Sequence, residues 1–262
     1  MIFDSHAHYD DEAFHNDRDL LIQELLSGNV CNIINVGASI ESTKASIALA
    51  EQYDKIYAAA GVHPSEVGEL DEESFAWLRE QTKHKKVVAV GEIGLDYYWE
   101  KEDGAKAAQR EWFARQMELA RERSLPVIIH SREAAEDTLR VMKSVRAQTI
   151  PGVVHCYSYS PELAEEFVRM GYYIGVGGVV TFKNAKKLKE TAERIPLTKI
   201  LIETDAPYMA PEPYRGRRND SGKLSFVAEK IAELKGVSVE EVEDATRENA
   251  KRLFGIKRLS SI

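Results

Sequence analysis

The feature that most restricts the fold of this chain is a regular alternation of short β-branched runs with amphipathic helical stretches. Eight runs have the length and composition of buried strands, at residues 2–3, 30–36, 56–62, 87–93, 127–130, 153–155, 173–176 and 200–203. Helical patterns separate them, and Gly28, Gly171 and Pro196 mark the ends of some of these helices. Strands that alternate with helices throughout a chain form a parallel sheet, and eight such units close into a (β/α)8 barrel.

The fold class predicted from this pattern is α/β, a single-domain (β/α)8 TIM barrel with extra C-terminal helices. The 262 residues suit it, because such a barrel needs about 250 residues. An open, doubly wound sheet is the alternative, although glycines 175, 177 and 178 lack the spacing of a dinucleotide-binding loop. Two helical patterns, at 226–235 and 239–254, follow the eighth strand. We therefore predict the barrel domain over residues 1–258 and a frayed tail at 259–262.

Composition favours a cytoplasmic protein that makes no membrane contact. Two cysteines, Cys31 and Cys156, are too few for a disulfide framework, and both are expected to pack as thiols. No basic leader with a long apolar run is present, and the apolar runs are shorter than a bilayer span. The net charge of -8 argues against a surface that coats long duplex nucleic acid but does not exclude local basic patches. We expect a monomer.

Polar side chains stand at the carboxyl ends of five predicted strands. Residues two apart in an extended chain point to the same side, so His6 and His8 converge on one point. Glu92 emerges from an otherwise apolar fourth strand, and the fifth, sixth and eighth strands also end in polar residues. Because the carboxyl ends of barrel strands meet at one mouth, we expect these groups to lie together. The candidate metal ligands are His6, His8, Glu92, His130, His155 and Asp205.

This ligand set is too large for one tetrahedral ion, whereas two divalent ions that share a carboxylate would use all of it. Glu92 is the expected bridge. We predict that one ion is held by Glu92 together with His6, His8 and Asp205, and the other by Glu92 together with His130 and His155. The predicted cofactors are thus two divalent metal ions per chain, such as Mg, Mn or Zn.

Basic side chains are expected around the same mouth. Arg132 follows His130 by two positions and faces the mouth. The loop 214–219, after the eighth strand, carries Arg215 and Arg217 in the densest basic stretch of an acidic protein. Such a loop can be a solvated surface, but here it overhangs the site, where its cations could contact phosphates.

Three further features near the strand ends have two interpretations each. The aromatic run 97–99 could stack nucleobases or pack as a lid on the barrel. Glu203 shares a face with Asp205 and could accept a hydrogen bond that orients a ligand histidine. Cys156 follows a predicted ligand, but packing is favoured over catalysis because it points to the opposite strand face.

The motifs on these strands resemble those of the TatD family of metal-dependent deoxyribonucleases, within the amidohydrolase-like barrels. They are FDSHAHYD at 3–10, GVHP at 61–64, GEIGLD at 91–96, IHSR at 129–132, HC at 155–156 and ETDAPY at 203–208. The resemblance covers about residues 2–254, with every motif in order. One departure is Tyr159, where a glycine is expected, so that loop is predicted to hold the substrate entrance more stiffly here.

The resemblance implies a (β/α)8 fold, a dinuclear metal site and hydrolysis of DNA phosphodiesters, with a 3′ to 5′ exodeoxyribonuclease mode. It also implies that His63 is an active-site residue near the substrate phosphate. We predict DNA single strands or ends as the partner. Asp205 is expected to accept the proton of water, since a carboxylate beside a cation stays ionised. The predicted catalytic residues are Asp205, His63 and Glu92, and the predicted substrate contacts are His63, Arg132, Arg215 and Arg217.

Two other functions are compatible with a metal-binding barrel. An amidohydrolase could act on a cyclic amide, a lactone or a nucleobase, but those enzymes often carry a carbamylated lysine on the fourth strand, where this chain has Glu92. A non-enzymatic metal-binding scaffold is disfavoured, because charged groups that converge in a cleft usually mark chemistry.

Overall fold

The computed structural model describes residues 1–256, and the predicted domain end at 258 and tail at 259–262 lie outside the described residues. Its strands form one parallel sheet in chain order, each paired with the next along the sequence. They are β1 (Ile2–Ala7), β2 (Val30–Val36), β3 (Ile56–Ala60), β4 (Val87–Asp96), β5 (Val127–Arg132), β6 (Gly152–Val154), β7 (Tyr173–Val176) and β8 (Ile200–Ile202). A parallel bridge between Ala7 and Ala206 brings the last strand back to the first. The predicted (β/α)8 barrel is confirmed, and the open sheet is excluded.

Helices follow the strands and cover the outside of the barrel. They are α1 (Arg18–Ser27), α2 (Ile40–Gln52), α3 (Glu72–Gln81), α4 (Asp103–Arg123), α5 (Ala135–Ser144), α6 (Pro161–Arg169), α7 (Lys186–Arg194), α8 (Leu224–Lys235) and α9 (Val239–Phe254). The two helices predicted after the last strand are α8 and α9. Among residues 1–256, none of the helices combines the length and the apolar character needed to cross a bilayer.

The hydrophobic core has two layers. The larger layer lies between the sheet and the surrounding helices. The smaller layer fills the inside of the barrel and continues into α9, where Leu253 and Phe254 pack against strand residues such as Phe3 and Val88. The rings of Phe3 and Phe254 stack with their centroids 6.2 Å apart. Helix α9 therefore closes the amino end of the barrel, and the carboxyl ends of the strands remain available for a site.

Three strands extend further toward the mouth than the sequence pattern predicts. β1, predicted at residues 2–3, continues to Ala7. β4, predicted to end at 93, continues to Asp96, and β5, predicted to end at 130, continues to Arg132. The reason in β4 is Gly94, which has a φ of 145°. A side chain on this residue would collide with the carbonyl group of His130 on β5. Glycine thus allows β4 and β5 to stay paired as far as the site.

Candidate metal centre

The predicted metal ligands lie together at the carboxyl ends of the strands. β1 supplies His6 and, directly after the strand, His8. β4 supplies Glu92 and β5 supplies His130, while His155 and Asp205 follow β6 and β8. Each side chain leaves its strand where the apolar filling of the barrel ends, which is why residues from distant parts of the chain meet there.

Four donor atoms surround one point on the β1 and β8 side of the centre. Nε2 of His6 and Nε2 of His8 are 3.1 Å apart. Oε2 of Glu92 lies 3.3 Å from the former and 3.6 Å from the latter. Oδ1 of Asp205 lies 3.7 Å and 3.5 Å from the same two atoms. Donors about 2.1 Å from a tetrahedral ion are about 3.4 Å apart, so the spacing suits one cation.

A second set of donors faces the other oxygen of Glu92. Its Oε1 lies 2.6 Å from Nε2 of His155 and 2.8 Å from Nδ1 of His130. These two ring nitrogens are 3.2 Å apart. Nε2 of His63 is more distant, at 3.7 Å from Oε1. The two oxygens of Glu92 thus serve opposite donor sets, which is the arrangement of a bridging carboxylate.

Contacts on the outer side of the imidazole rings aim the ligand nitrogens inward. Nδ1 of His8 lies 2.8 Å from the carbonyl oxygen of Val36, and Nε2 of His130 lies 3.1 Å from Oδ2 of Asp96. The ring of His6 stacks on that of His155, with centroids 4.1 Å apart and an interplanar angle of 10°. The outer partners of His8 and His130 select the tautomer that leaves the inner nitrogen free to bind a metal, whereas the buried Nδ1 atoms of His6 and His155 have no hydrogen-bond partner among the described residues.

The two carboxylates among the candidate ligands both have lowered pKa values. Burial raises the pKa of Glu92, but the charge of His155 and the hydrogen bonds from His130 and His155 outweigh it, so the pKa falls well below its usual range. Burial opposes the same change at Asp205, where the hydrogen bond from His8 lowers the pKa. Glu92 and Asp205 therefore stay ionised near neutrality, as metal ligands must.

The pKa values of the histidines shift in opposite directions, according to their surroundings. Burial lowers the pKa of His6 to about 4 and that of His63 to about 3, so both rings are neutral. Burial acts in the same direction on His8 and His130, but Asp205 outweighs it at His8, and Asp96 and Glu92 outweigh it at His130. Both of these pKa values rise to about 9. The carboxylates thus favour positive charge at two places in the centre, at His8 and at His130.

Asp4 and Thr204 fix the two strands that carry the first donor set. The carboxylate of Asp4 accepts hydrogen bonds from Oγ1 of Thr204 at 2.7 Å and from Oγ of Ser221 at 2.6 Å. The backbone N–H of Asp205 donates to the carbonyl group of His6 at 2.9 Å. Asp205 has a φ of 56°, a left-handed conformation that non-glycine residues rarely adopt and that often occurs at functional sites.

Glu203 is buried behind the second donor set. Its Oε1 accepts a hydrogen bond of 2.5 Å from the backbone N–H of Cys156 and lies 3.9 Å from Nδ1 of His155. Gly175 provides the space for this carboxylate, because a side chain there would collide with it. Burial raises the pKa of Glu203 to about 7. The carboxylate thus faces the outer nitrogen of a candidate ligand, as expected for an orienting residue, although the distance exceeds a hydrogen bond.

Above the candidate ligands lies a cavity of about 860 Å³. Its wall includes His63, Arg132, Trp99 and Tyr208. Cys156, which the sequence places on the opposite face, also lines this cavity. It has a φ of 43°, and this turn redirects the residue after His155.

The predicted basic loop contributes none of the residues that line the cavity. Arg215 places its guanidinium 4.3 Å from the ring centroid of Phe182, and Arg217 is exposed. Arg218 instead forms two hydrogen bonds with Asp17, at 2.6 Å and 2.7 Å. Of the three arginines, Arg218 thus has a carboxylate partner, whereas Arg215 and Arg217 have none among the described residues.

Tyr159 joins two loops at the mouth. Its hydroxyl lies 3.0 Å from Oγ of Ser131 and accepts a hydrogen bond of 3.1 Å from the backbone N–H of Ala134. The loop after β6 is thereby attached to the segment that follows His130. Whether the loop is stiffer for this reason stays a prediction.

Two residues that hold the site were not identified from their chemistry in the sequence. Asp4 and Asp96 both fall within the motifs FDSHAHYD and GEIGLD, and both are buried acids within strands. A buried acid needs a partner, so its position in an apolar strand was the available signal.

Comparison with known proteins agrees with this geometry. The chain matches the family described as TatD related DNase over residues 3–255. It is 44% identical to the uncharacterized metal-dependent hydrolase YabD of Bacillus subtilis, over 98% of this chain and 100% of that protein. It is 37% identical to the uncharacterized metal-dependent hydrolase YcfH of Escherichia coli, over 100% of this chain and 99% of that protein.

A solved structure shows the same relationship. The TatD homologue YjjV of Escherichia coli superimposes with a TM-score of 0.90 at 33% identity, and the match covers 98% of each chain. The resemblance drawn from the motifs is confirmed, and the chain belongs to the TatD family of metal-dependent hydrolases.

Proposed function

We propose that this hydrolase cleaves DNA phosphodiester bonds at single strands or ends, as a 3′ to 5′ exodeoxyribonuclease with a dinuclear metal site. The observation that carries the proposal is the position of Glu92, whose two oxygens face two separate donor sets. Pairs of divalent ions that share such a ligand are typical of enzymes that hydrolyse phosphate esters.

The residues present fit two cations. His6, His8 and Asp205 would hold one of them with Glu92, and His130 and His155 would hold the other with the same carboxylate. When bound, a pair of divalent cations lowers the pKa of water and offsets the negative charge of the phosphate. The mixture of imidazole and carboxylate donors suits Zn or Mn and does not exclude Mg.

Asp205 is the residue that we assign to proton transfer. Its side chain is 17% exposed, whereas that of Glu92 is 4% exposed, so Asp205 is the acid that can reach water in the cavity. Its lowered pKa keeps it ionised and ready to accept a proton. As the water oxygen bonds to phosphorus, a water proton passes to Asp205 and the bond between phosphorus and the 3′ oxygen of the remaining strand breaks. That oxygen takes up a proton and leaves as a 3′-hydroxyl, while the released nucleotide keeps the phosphate.

His63 is assigned to the substrate phosphate. Its Nδ1 accepts a hydrogen bond of 3.2 Å from the backbone N–H of Ser65. Because the ring is neutral, its proton must then lie on Nε2. That atom is on the side of Glu92 and the cavity, so it can donate a hydrogen bond to a phosphate oxygen. A protonated Nε2 is also less suited to metal binding, which favours this role over that of a ligand.

The basic residues near the mouth favour an extended anionic substrate. Arg132 lines the cavity, and Arg215 is exposed on the loop after β8. Lys183 is exposed on the neighbouring loop after β7. In the described part of the chain, none of these three cations has a carboxylate within ion-pair distance. A small neutral amide or lactone would not need them, whereas a nucleic acid strand would meet several.

The test is metal analysis combined with turnover assays. The metal-loaded protein is offered single-stranded, double-stranded and abasic oligonucleotides, and in parallel a dihydropyrimidine and a lactone. We expect about two ions per chain and release of nucleotides from the 3′ end, with Asp205→Asn as the inactive control. Turnover of the cyclic amide or the lactone without oligonucleotide cleavage would assign the enzyme to the amidohydrolase alternative.

A further inference from the structure

Three consecutive aromatic residues follow β4, and the structure uses the first differently from the other two. The hydroxyl of Tyr97 donates to Asp137 at 2.8 Å and accepts a hydrogen bond of 2.9 Å from Arg110. Tyr97 is therefore fixed against the barrel. Tyr98 and Trp99 point outward, and Trp99 is 71% exposed while it lines the cavity.

An exposed tryptophan at this place is unusual, since such a large side chain is normally buried or engaged in binding. Trp99 is nevertheless held in position. Its ring meets that of Tyr98 edge to face, with centroids 4.6 Å apart and an interplanar angle of 86°. The guanidinium of Arg132 lies 4.0 Å from the centroid of Tyr98 and 5.8 Å from that of Trp99. Tyr98 and Trp99 support each other and form a surface that we call the aromatic platform, with the guanidinium of Arg132 beside it.

Asp96 connects this platform to the metal centre. Its Oδ1 accepts hydrogen bonds from the backbone N–H groups of Tyr98 and Trp99, at 2.9 Å and 3.2 Å. Its Oδ2 lies 3.1 Å from Nε2 of His130. A single carboxylate therefore sets how far the aromatic platform stands from a candidate metal ligand.

We propose that Trp99 is the surface on which the nucleobase beside the scissile phosphate stacks, while Arg132 contacts the adjoining backbone. This inference rests on the proposed function and names a substrate contact that the metal centre itself does not provide. Every base offers a flat face, so the platform is expected to accept all four bases. Stacking of one base on an aromatic side chain changes affinity by roughly 5- to 150-fold.

The first experiment measures binding without turnover. Tryptophan fluorescence is followed while a single-stranded oligonucleotide is added in the presence of a chelator. In parallel, Kd is measured from the anisotropy of a labelled oligonucleotide, which does not depend on Trp99. We expect quenching in the wild type and loss of that quenching in both Trp99 variants. Kd should be roughly 5- to 150-fold weaker in Trp99→Ala and near normal in Trp99→Phe. Leu20→Ala, at another side chain that is 71% exposed and that does not line the cavity, is the matched control.

The second experiment uses an oligonucleotide of equal length whose 3′-terminal residues lack bases. Trp99→Ala is expected to lower kcat/KM for the natural strand and to leave kcat/KM for the abasic strand unchanged. Equal binding and equal kcat/KM of wild type and Trp99→Ala on natural strands would overturn the inference, as would an equal decrease on both substrates. If the wild type binds strands through Trp99 but cleaves none of them, the stacking role of Trp99 is supported and the proposed nuclease function is disproved.

Discussion

Oδ2 of Asp96 and Nε2 of His130 are 3.1 Å apart, while the other ring nitrogen of His130 lies 2.8 Å from Glu92. Burial raises the pKa of Asp96, but the hydrogen bond from His130 outweighs it and lowers the pKa. Asp96 therefore remains an ionised acceptor. A histidine that donates its outer N–H to a carboxylate has a fixed tautomer and a more basic inner nitrogen.

Asp96→Asn is expected to weaken the affinity for the ion between His130 and His155 by about 10- to 100-fold, because it removes the negative charge that orients the His130 ring. The ion between His6 and His8 should keep its affinity. The measurement is metal titration against a competing chelator. Asp17→Asn, at an exposed ion pair far from the centre, is the control. Equal weakening of both ions would show that Asp96 acts on the whole barrel mouth.

Glu92→Ala is expected to abolish the binding of both ions, because each donor set loses the oxygen that Glu92 supplies. His130→Ala should weaken only the ion that it would share with His155. Metal content by mass spectrometry after dialysis distinguishes the two variants. A Glu92→Ala protein that retains one tightly bound ion would disprove the bridging role.

Asp205→Asn is expected to lower hydrolysis by about 10³-fold or more while at least one ion remains bound. The amide oxygen can still face a cation, but the amide cannot accept a proton. Activity of the wild type should fall as pH decreases, since the lowered pKa of Asp205 keeps it ionised until acidic pH and protonation then removes the base. Normal turnover by a fully loaded Asp205→Asn enzyme would transfer the role to another group, with Glu203 the nearest candidate.

His63→Ala is expected to lower kcat by about 10²- to 10³-fold with both ions retained, because the phosphate then has one hydrogen-bond donor fewer. The acid limb of the pH–rate profile should persist, since Asp205 is unchanged. Parallel measurement of metal content and of the pH profile tests this division of roles. Loss of an ion in His63→Ala would instead identify the ring as a metal ligand.

Removal of both Arg215 and Arg217 is expected to raise KM for oligonucleotides and to flatten its salt dependence. The slope of log(kcat/KM) against log salt changes by about 0.7 for each phosphate of a single strand that the variant protein no longer neutralises. Arg218→Ala is the matched control, because that arginine is already paired with Asp17. Identical slopes for the double variant and the wild type would show that the bound strand does not contact Arg215 or Arg217.

The barrel could be predicted from the sequence because the alternation of strand and helix is a local signal. The six candidate ligands could also be predicted, since a glutamate or histidine at the end of an apolar strand stands out without knowledge of its partners. The roles of Asp96 and Asp4 could not be predicted, because each depends on a partner from another strand or loop. Asp96 contacts His130, and Asp4 contacts Thr204, which is 200 positions away. Likewise, what separates Arg218 from Arg215 and Arg217 is its ion pair with Asp17, 201 positions away.

The closure of β1 onto the segment after β8 has a consequence for biosynthesis. His6 is synthesised almost two hundred residues before its neighbour Asp205. The nascent chain therefore carries the imidazoles of His6 and His8 long before the carboxylate of Asp205 can join them. Contacts of such long sequence separation form late, so the first donor set is completed only after the segment that follows β8 has been made. Binding of one cation by all four of these donors should consequently follow that step.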